Sequence, residues 1–185
     1  MIILIVLAGA LAIAMARGGK IANLALLNIR WSPLILTGFL IQVIIFSSFW
    51  QGNSELKPLT QVGHLLSLSM LLVALVVNRR LPGVAIMTLG FALNFTAIAL
   101  NGGYMPASPD ALAVAGLAHI EPGQISNNSI AAGPETRLII LADIFAIPSQ
   151  LPFHNVFSVG DVLIALGVFY LIQNVMVTSK PQTSH

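Results

Sequence analysis

Six side chains in this sequence have the type and the surroundings to do chemistry: Asp161, Asp143, His64, Asn94, Asn101 and Tyr104. His154 lies close to Asp161 in the chain. Each stands in or beside apolar sequence, and a polar group in hydrocarbon is costly unless it has a partner or a task. Asp161 is the sharpest. With His64 it is one of two ionisable groups inside a predicted span, so one reading makes it a catalytic or ligand-binding carboxylate. The other makes it an N-terminal cap of a helix that starts later than the apolar run, with Ser158 and Gly160 nearby. His64 divides similarly, between a ligand contact and a packing histidine bonded to a neighbouring carbonyl. Asn94 and Asn101, seven residues apart on one helix face, serve either a ligand or an adjacent helix.

The same residues argue against other chemistries. Four histidines at scattered spacing make no metal-ligand pattern, so no metal site is expected. Cysteine is absent, which removes disulfides, thiolate catalysis and zinc–cysteine sites. There is neither a glycine-rich phosphate loop nor a Gly-x-Ser-x-Gly elbow, and no cofactor is expected. A net charge of +2 with no basic run gives nucleic acid nothing to bind.

The elements that must position these residues follow from composition. Apolar residues make up 57% of the 185 and charged residues 8%, where a soluble domain carries roughly a quarter charged. Fourteen charged side chains (eight basic, six acidic) cannot cover a water-facing surface of this size. The reading is one all-α integral membrane helical bundle over residues 1–185, with five transmembrane helices at about 2–16, 31–50, 62–77, 82–100 and 156–177. Charges follow the first apolar run instead of preceding it, so it reads as a retained helix, with the A-x-A-like stretch Ala10 to Ala14 leaving a cleaved signal peptide as the alternative. Trp31 and Trp50 bound the second span as an aromatic belt would. Residues 21–30 read as a short interfacial helix, and 51–60 as a loop. A long extracytoplasmic segment, 101–155, holds six of the ten prolines. Within it, Ser108-Pro109-Asp110 opens a short helix over 111–119, ended by Glu121-Pro122-Gly123. Leu138 to Ile147 is too short to span and reads as an interfacial or re-entrant helix packed on the outer ends of the spans. Residues 178–185 read as a tail.

Charge gives the orientation. With the N-terminus outside and the C-terminus cytoplasmic, Arg17, Lys20, Arg30, Arg79, Arg80 and Lys180 face the cytoplasm, and only Lys57 and Arg137 face out. The expected location is the plasma membrane, a bacterial inner membrane. On this topology His64, Asn94, Asn101 and Asp161 lie at similar depth in the outer half, with Tyr104, Asp143 and His154 in the adjoining segment. The expected site is one outer-leaflet pocket of these residues.

Two boxes carry a resemblance. Asn101-Gly102-Gly103-Tyr104-Met105-Pro106 and, opening the last span, Phe157-Ser158-Val159-Gly160-Asp161 resemble a family of small uncharacterised bacterial multi-pass membrane proteins. That resemblance covers most of the chain and implies no activity. The stretch from His154 to Ile172 is also similar to the start of the last helix of lipoprotein signal peptidases, in which two aspartates near the outer face activate a water. It implies that Asp161 matches the second aspartate. The Asn-x-x-Asp-Arg box of the first is absent, and Asp143 stands nearby outside that pattern.

Three functions follow. The first is a non-enzymatic accessory or binding protein for a lipid or quinone-like molecule, with the bilayer, a bound lipid or a membrane-complex subunit as partner. The second, implied by the peptidase resemblance, is an intramembrane aspartyl hydrolase in which Asp161 and Asp143 activate a water, one as acid and one as base, and the third is a small-solute transporter. Ligand contacts would come from His64, Asn94, Asn101, Tyr104 and Asp161.

Overall fold

A computed structural model describes residues 2–51, 54–117, 125–126 and 129–177. The chain is mostly helical. Its long elements are α1 (Ile2–Ala16), α2 (Ser32–Ile45), α4 (Lys57–Val77), α5 (Val84–Leu100) and α7 (Val159–Val177), with a four-residue α3 (Ser48–Gln51) between α2 and α4. Two of them, α4 and α7, are long and apolar enough to cross a membrane, while α1, α2 and α5 are shorter apolar helices. Residues 21–30 begin with a 3-10 turn, Ile21–Leu26.

Contacts place the helices in the spatial order α2, α4, α5, α7, α1, each packed on its neighbour. Consecutive α4 and α5 are antiparallel through the tight turn at Asn78–Gly83. The α5–α7 crossing is the closest, because glycines face each other twice. A methyl group on Gly90 would overlap the Gly160 carbonyl, and one on Gly83 would overlap the Gly167 carbonyl. Helices α1 and α7 end at the same side. The Lys20 amide donates to the Met176 carbonyl at 3.0 Å, and Ala10, Ala14, Ile172 and Met176 form a buried cluster between them.

Helix boundaries differ from expectation where side chains cap or compete. The second span was expected to run unbroken from 31 to 50. It breaks at Phe46–Ser47, where the Ser47 hydroxyl donates to the Ile44 carbonyl and accepts from the Trp50 amide, ending one helix and starting the next. Residues 57–60, expected in a loop, are the first turn of α4. Pro58 sits where its missing N–H is harmless, and Thr60 ties back to the Leu56 carbonyl. The last helix starts at Val159, because 155–157 are used in a strand.

The all-α expectation misses two small sheets in the segment before α7. Strands β1 (Met105–Ala107), β2 (Ile125–Ser126) and β3 (Ser129–Ala131) form one, in the order β1-β3-β2, and β4 (Phe145–Ile147) pairs antiparallel with β5 (Asn155–Phe157) in the other. The expected helix over Leu138 to Ile147 is therefore wrong. Leu138 adopts a left-handed φ of 51°, a single 3-10 turn (Ile139–Leu141) follows, and Asp143 then bridges to Ala107. Pairing partners supplied by distant strands outcompete a helix of only ten residues, with its costly nucleus. The short helix after Ser108 does form, as α6 (Pro109–Val114), with the Ser108 hydroxyl accepting from the Ala111 amide. It stops at Gly116, whose φ of 73° admits the bond from the Leu117 amide back to the Leu112 carbonyl. The expected end at Glu121-Pro122-Gly123 lies outside the described residues, as do His119 and the tail 178–185.

Candidate functional site

The N-terminus of α7 builds the densest polar cluster. Ser158 and Asp161 stand three apart, the spacing that lets each satisfy the other's free amide at a helix start. The Asp161 amide donates to the Ser158 hydroxyl at 3.0 Å, and the Ser158 amide donates to Asp161 Oδ2 at 3.1 Å. Asn94, one turn beyond Gly90 on α5, closes a ring on this cap. Its Nδ2 donates to Asp161 Oδ1 at 2.9 Å, while its Oδ1 accepts from the Ser158 hydroxyl at 2.8 Å. Absence of a side chain at Gly160 makes the approach possible, since a Cβ there would collide with Asn94 Oδ1. Both oxygens of Asp161 are thus engaged by protein donors.

The other sequence-flagged residues go elsewhere or meet this cluster only at its edge. His64 is 3% exposed; its Nδ1 lies 2.7 Å from the Gly103 carbonyl, and Phe46 stands edge-on to its ring at 4.9 Å. A carbonyl only accepts, so Nδ1 carries the proton and His64 fastens α4 to the turn after α5. Asn101 grips a backbone: its Nδ2 donates to the Ala97 and Arg137 carbonyls, and its Oδ1 accepts from the Arg137 amide at 2.8 Å. Tyr104 is buried beside β1, and burial pushes its hydroxyl up. His154 is exposed.

Asp143 is set by its main chain. Its amide donates to the Pro106 carbonyl at 2.9 Å and its carbonyl accepts from Ser108 at 3.0 Å. The side chain is 7% exposed, and Oδ1 is the one buried side-chain oxygen or nitrogen without a hydrogen-bond partner among the described residues. Burial pushes its pKa up to about 7, with the negative charge of Asp161 adding to the effect. The two acids therefore sense each other without sharing a hydrogen bond, one neutral or half-neutral near pH 7 and the other held by amide donors.

A cavity of about 560 Å³ opens beside this region, lined by Leu100, Asn101, Gly102, Ile130, Ala131 and the run 133–137. Of the six flagged residues only Asn101 lines it. Glu135, Thr136 and Arg137 were not singled out from the sequence. Their signal was available in Gly133-Pro134-Glu135-Thr136, a turn-forming stretch in an otherwise apolar neighbourhood. Groups of three or more histidine, cysteine or acidic residues placed to hold a metal ion do not occur among the described residues.

The family question is decided by residues 26–173, which match the model of a family of unknown function, DUF5317. The chain belongs to that family. An uncharacterized protein of Thermotoga maritima is 32% identical over 117 residues, 62% of this chain. The match spans 65% of that relative's length, a little under two thirds. No solved structure matches. The matched family region takes in the Asn94–Ser158–Asp161 ring, Asp143 and the 133–137 turn, and leaves out α1.

Proposed function

We propose that this DUF5317 member is a non-enzymatic, five-span protein of the bacterial plasma membrane, with its N-terminus outside and residues 101–155 forming an outer cap that holds a lipid-like ligand. The observation that carries the reading is the outward face of its helices. Leu36, Phe39, Leu40 and Val43 on α2, Val62, Leu66 and Val73 on α4, and Leu166 and Tyr170 on α7 are all exposed, while the polar side chains turn inward to partners. Exposed large apolar side chains on this many helices, with the polar ones turned inward, suit contact with lipid. The shorter helices fit with modest adjustment. α2 alone rises about 21 Å over its 14 residues, and α3 adds a further turn beyond the break at Phe46–Ser47. The orientation is supported by cations at one end: Arg17 reaches Gln173, Lys20 meets Met176, and Arg30 is bonded to Asn78 next to Arg79 and Arg80. Against catalysis stands the engagement of both Asp161 oxygens in a helix cap. Alkaline carbonate washing of membranes tests the reading: the chain stays in the pellet, and release into the supernatant would refute it.

An aspartyl hydrolase remains the second reading on one specific ground. Asp143, with a pKa near 7 and coupled in charge to Asp161, offers the protonation asymmetry that water activation needs. In that case Asp161→Asn and Asp143→Asn each abolish peptide or lipid hydrolysis by folded protein; on the non-enzymatic reading neither change removes an activity.

A further inference from the structure

Resting on the membrane reading, we infer that the cavity between the end of α5 and the 133–137 turn binds a phospholipid headgroup carrying both a phosphate and a primary amine. The cavity's size, about 560 Å³, falls within the range of small-ligand sites. Its wall brings one cation, Arg137, and one anion, Glu135, into the same space, separated by Thr136. Among the described residues neither charged side chain has a hydrogen-bond or ion-pair partner. A guanidinium presents a fork suited to phosphate, and a carboxylate beside it suits an ammonium group.

The backbone carrying these charges is fixed on both sides. The Thr136 amide donates to the Gly133 carbonyl at 3.0 Å, and the Gly133 amide donates back to Thr136 Oγ1 at 2.9 Å, closing the turn. Asn101 then clamps the Arg137 peptide through both its amide N–H and its carbonyl. The backbone of the site therefore loses little freedom on binding, and the ordering cost falls on the two charged side chains. The neighbouring surface argues for a lipid over a free zwitterion. Leu138, Ile139 and Ile140 follow Arg137 directly and are exposed, and Leu141 packs, as Phe91 and Phe95 of α5 do, against the buried cluster of Leu68, Ala97, Ile98 and Met105. An apolar track therefore leads from the charged cavity along α5, where acyl chains would lie.

Native mass spectrometry of the full chain in detergent tests this, with phosphatidylethanolamine, phosphatidylglycerol or water-soluble phosphoethanolamine added. The wild type should retain phosphatidylethanolamine at least tenfold better than phosphatidylglycerol. Arg137→Ala should lower retention of both lipids, and Glu135→Gln should erase the preference between them. Both side chains are exposed and Asn101 holds only main-chain atoms, so the variants keep the fold, which an unchanged thermal midpoint verifies; Arg137→Lys, which keeps the charge, should retain part of the binding. Equal retention of the two lipids by the wild type, or variants indistinguishable from it, would overturn the inference. Binding of phosphoethanolamine without retention of either lipid would overturn the lipid source. These outcomes concern the cavity alone, whereas release by carbonate would remove the membrane reading itself.

Discussion

At the scale of single residues, Ser158 and Asp143 behave oppositely. Ser158 is fully buried and sits at the centre of the α5–α7 ring, giving one bond to Asn94 and receiving one from Asp161. Removing its hydroxyl strips the cap and leaves the Asn94 carbonyl oxygen short of a donor. Ser158→Ala should therefore cost about 1–3 kcal/mol, seen as a lower unfolding midpoint in detergent, while Ser158→Thr keeps most of it. No change in midpoint on Ser158→Ala would show that the ring contributes nothing. Asp143 is buried without a partner for Oδ1, and its folded pKa stands near 7 against 3.8 in the unfolded chain. The folded state thus holds its proton more tightly. That contribution to stability is complete below about pH 4 and is lost as the pH rises through 7. Stability should fall by a few kcal/mol at most between pH 4.5 and 8, and Asp143→Asn should flatten the curve by removing the carboxyl. An identical pH profile in the variant would contradict the buried, proton-holding state.

At the scale of elements, the α5–α7 crossing rests on small residues. Gly83 and Gly90 meet Gly167 and Gly160 in antiparallel order, close enough that backbone faces backbone. On the proposed membrane reading, such contact replaces the hydrophobic drive that water supplies elsewhere. Gly90→Ala forces the helices apart and should cost about 1–3 kcal/mol, whereas Gly9→Ala, with open space at its Cβ, should be neutral. Equal midpoints for the two variants would mean that the crossing yields without cost. Gly160→Ala should be the worst of the set, since it displaces Asn94 as well as the α5 backbone.

At the scale of the whole molecule, helix direction and charge sort together. The ends of α1, α4 and α7 meet the starts of α2 and α5 on the cationic side, and the sheets and α6 gather at the other. A reporter fused within 133–137 should be active outside the cytoplasmic membrane, and one following Val177 should be active only in the cytoplasm. The reverse pattern would invert the proposed topology without touching the fold. The apolar runs around α1, α2, α4, α5 and α7 were legible because each is long and uniform in character, and local composition alone marks such helices. Membership in an uncharacterised family was legible as well, and the match over residues 26–173 bears it out. Tertiary structure alone decided the rest. Leu138 to Ile147 reads as a helix by its apolar content, but it folds as a turn and a strand because Pro106, Ser108 and Asn155–Phe157 supply its hydrogen-bond partners. The sequence leaves Asp161 as either a reactive carboxylate or a cap, and the side chain on its other oxygen, Asn94, comes from sixty-seven residues away. His64 was expected beside it by depth, and its ring instead points to the Gly103 carbonyl. Depth in a membrane is nearly a linear property of sequence, since each helical residue rises a fixed distance. Which way a side chain faces around the axis depends on which helices become neighbours, and that order, α2-α4-α5-α7-α1, is set by packing between segments far apart in the chain.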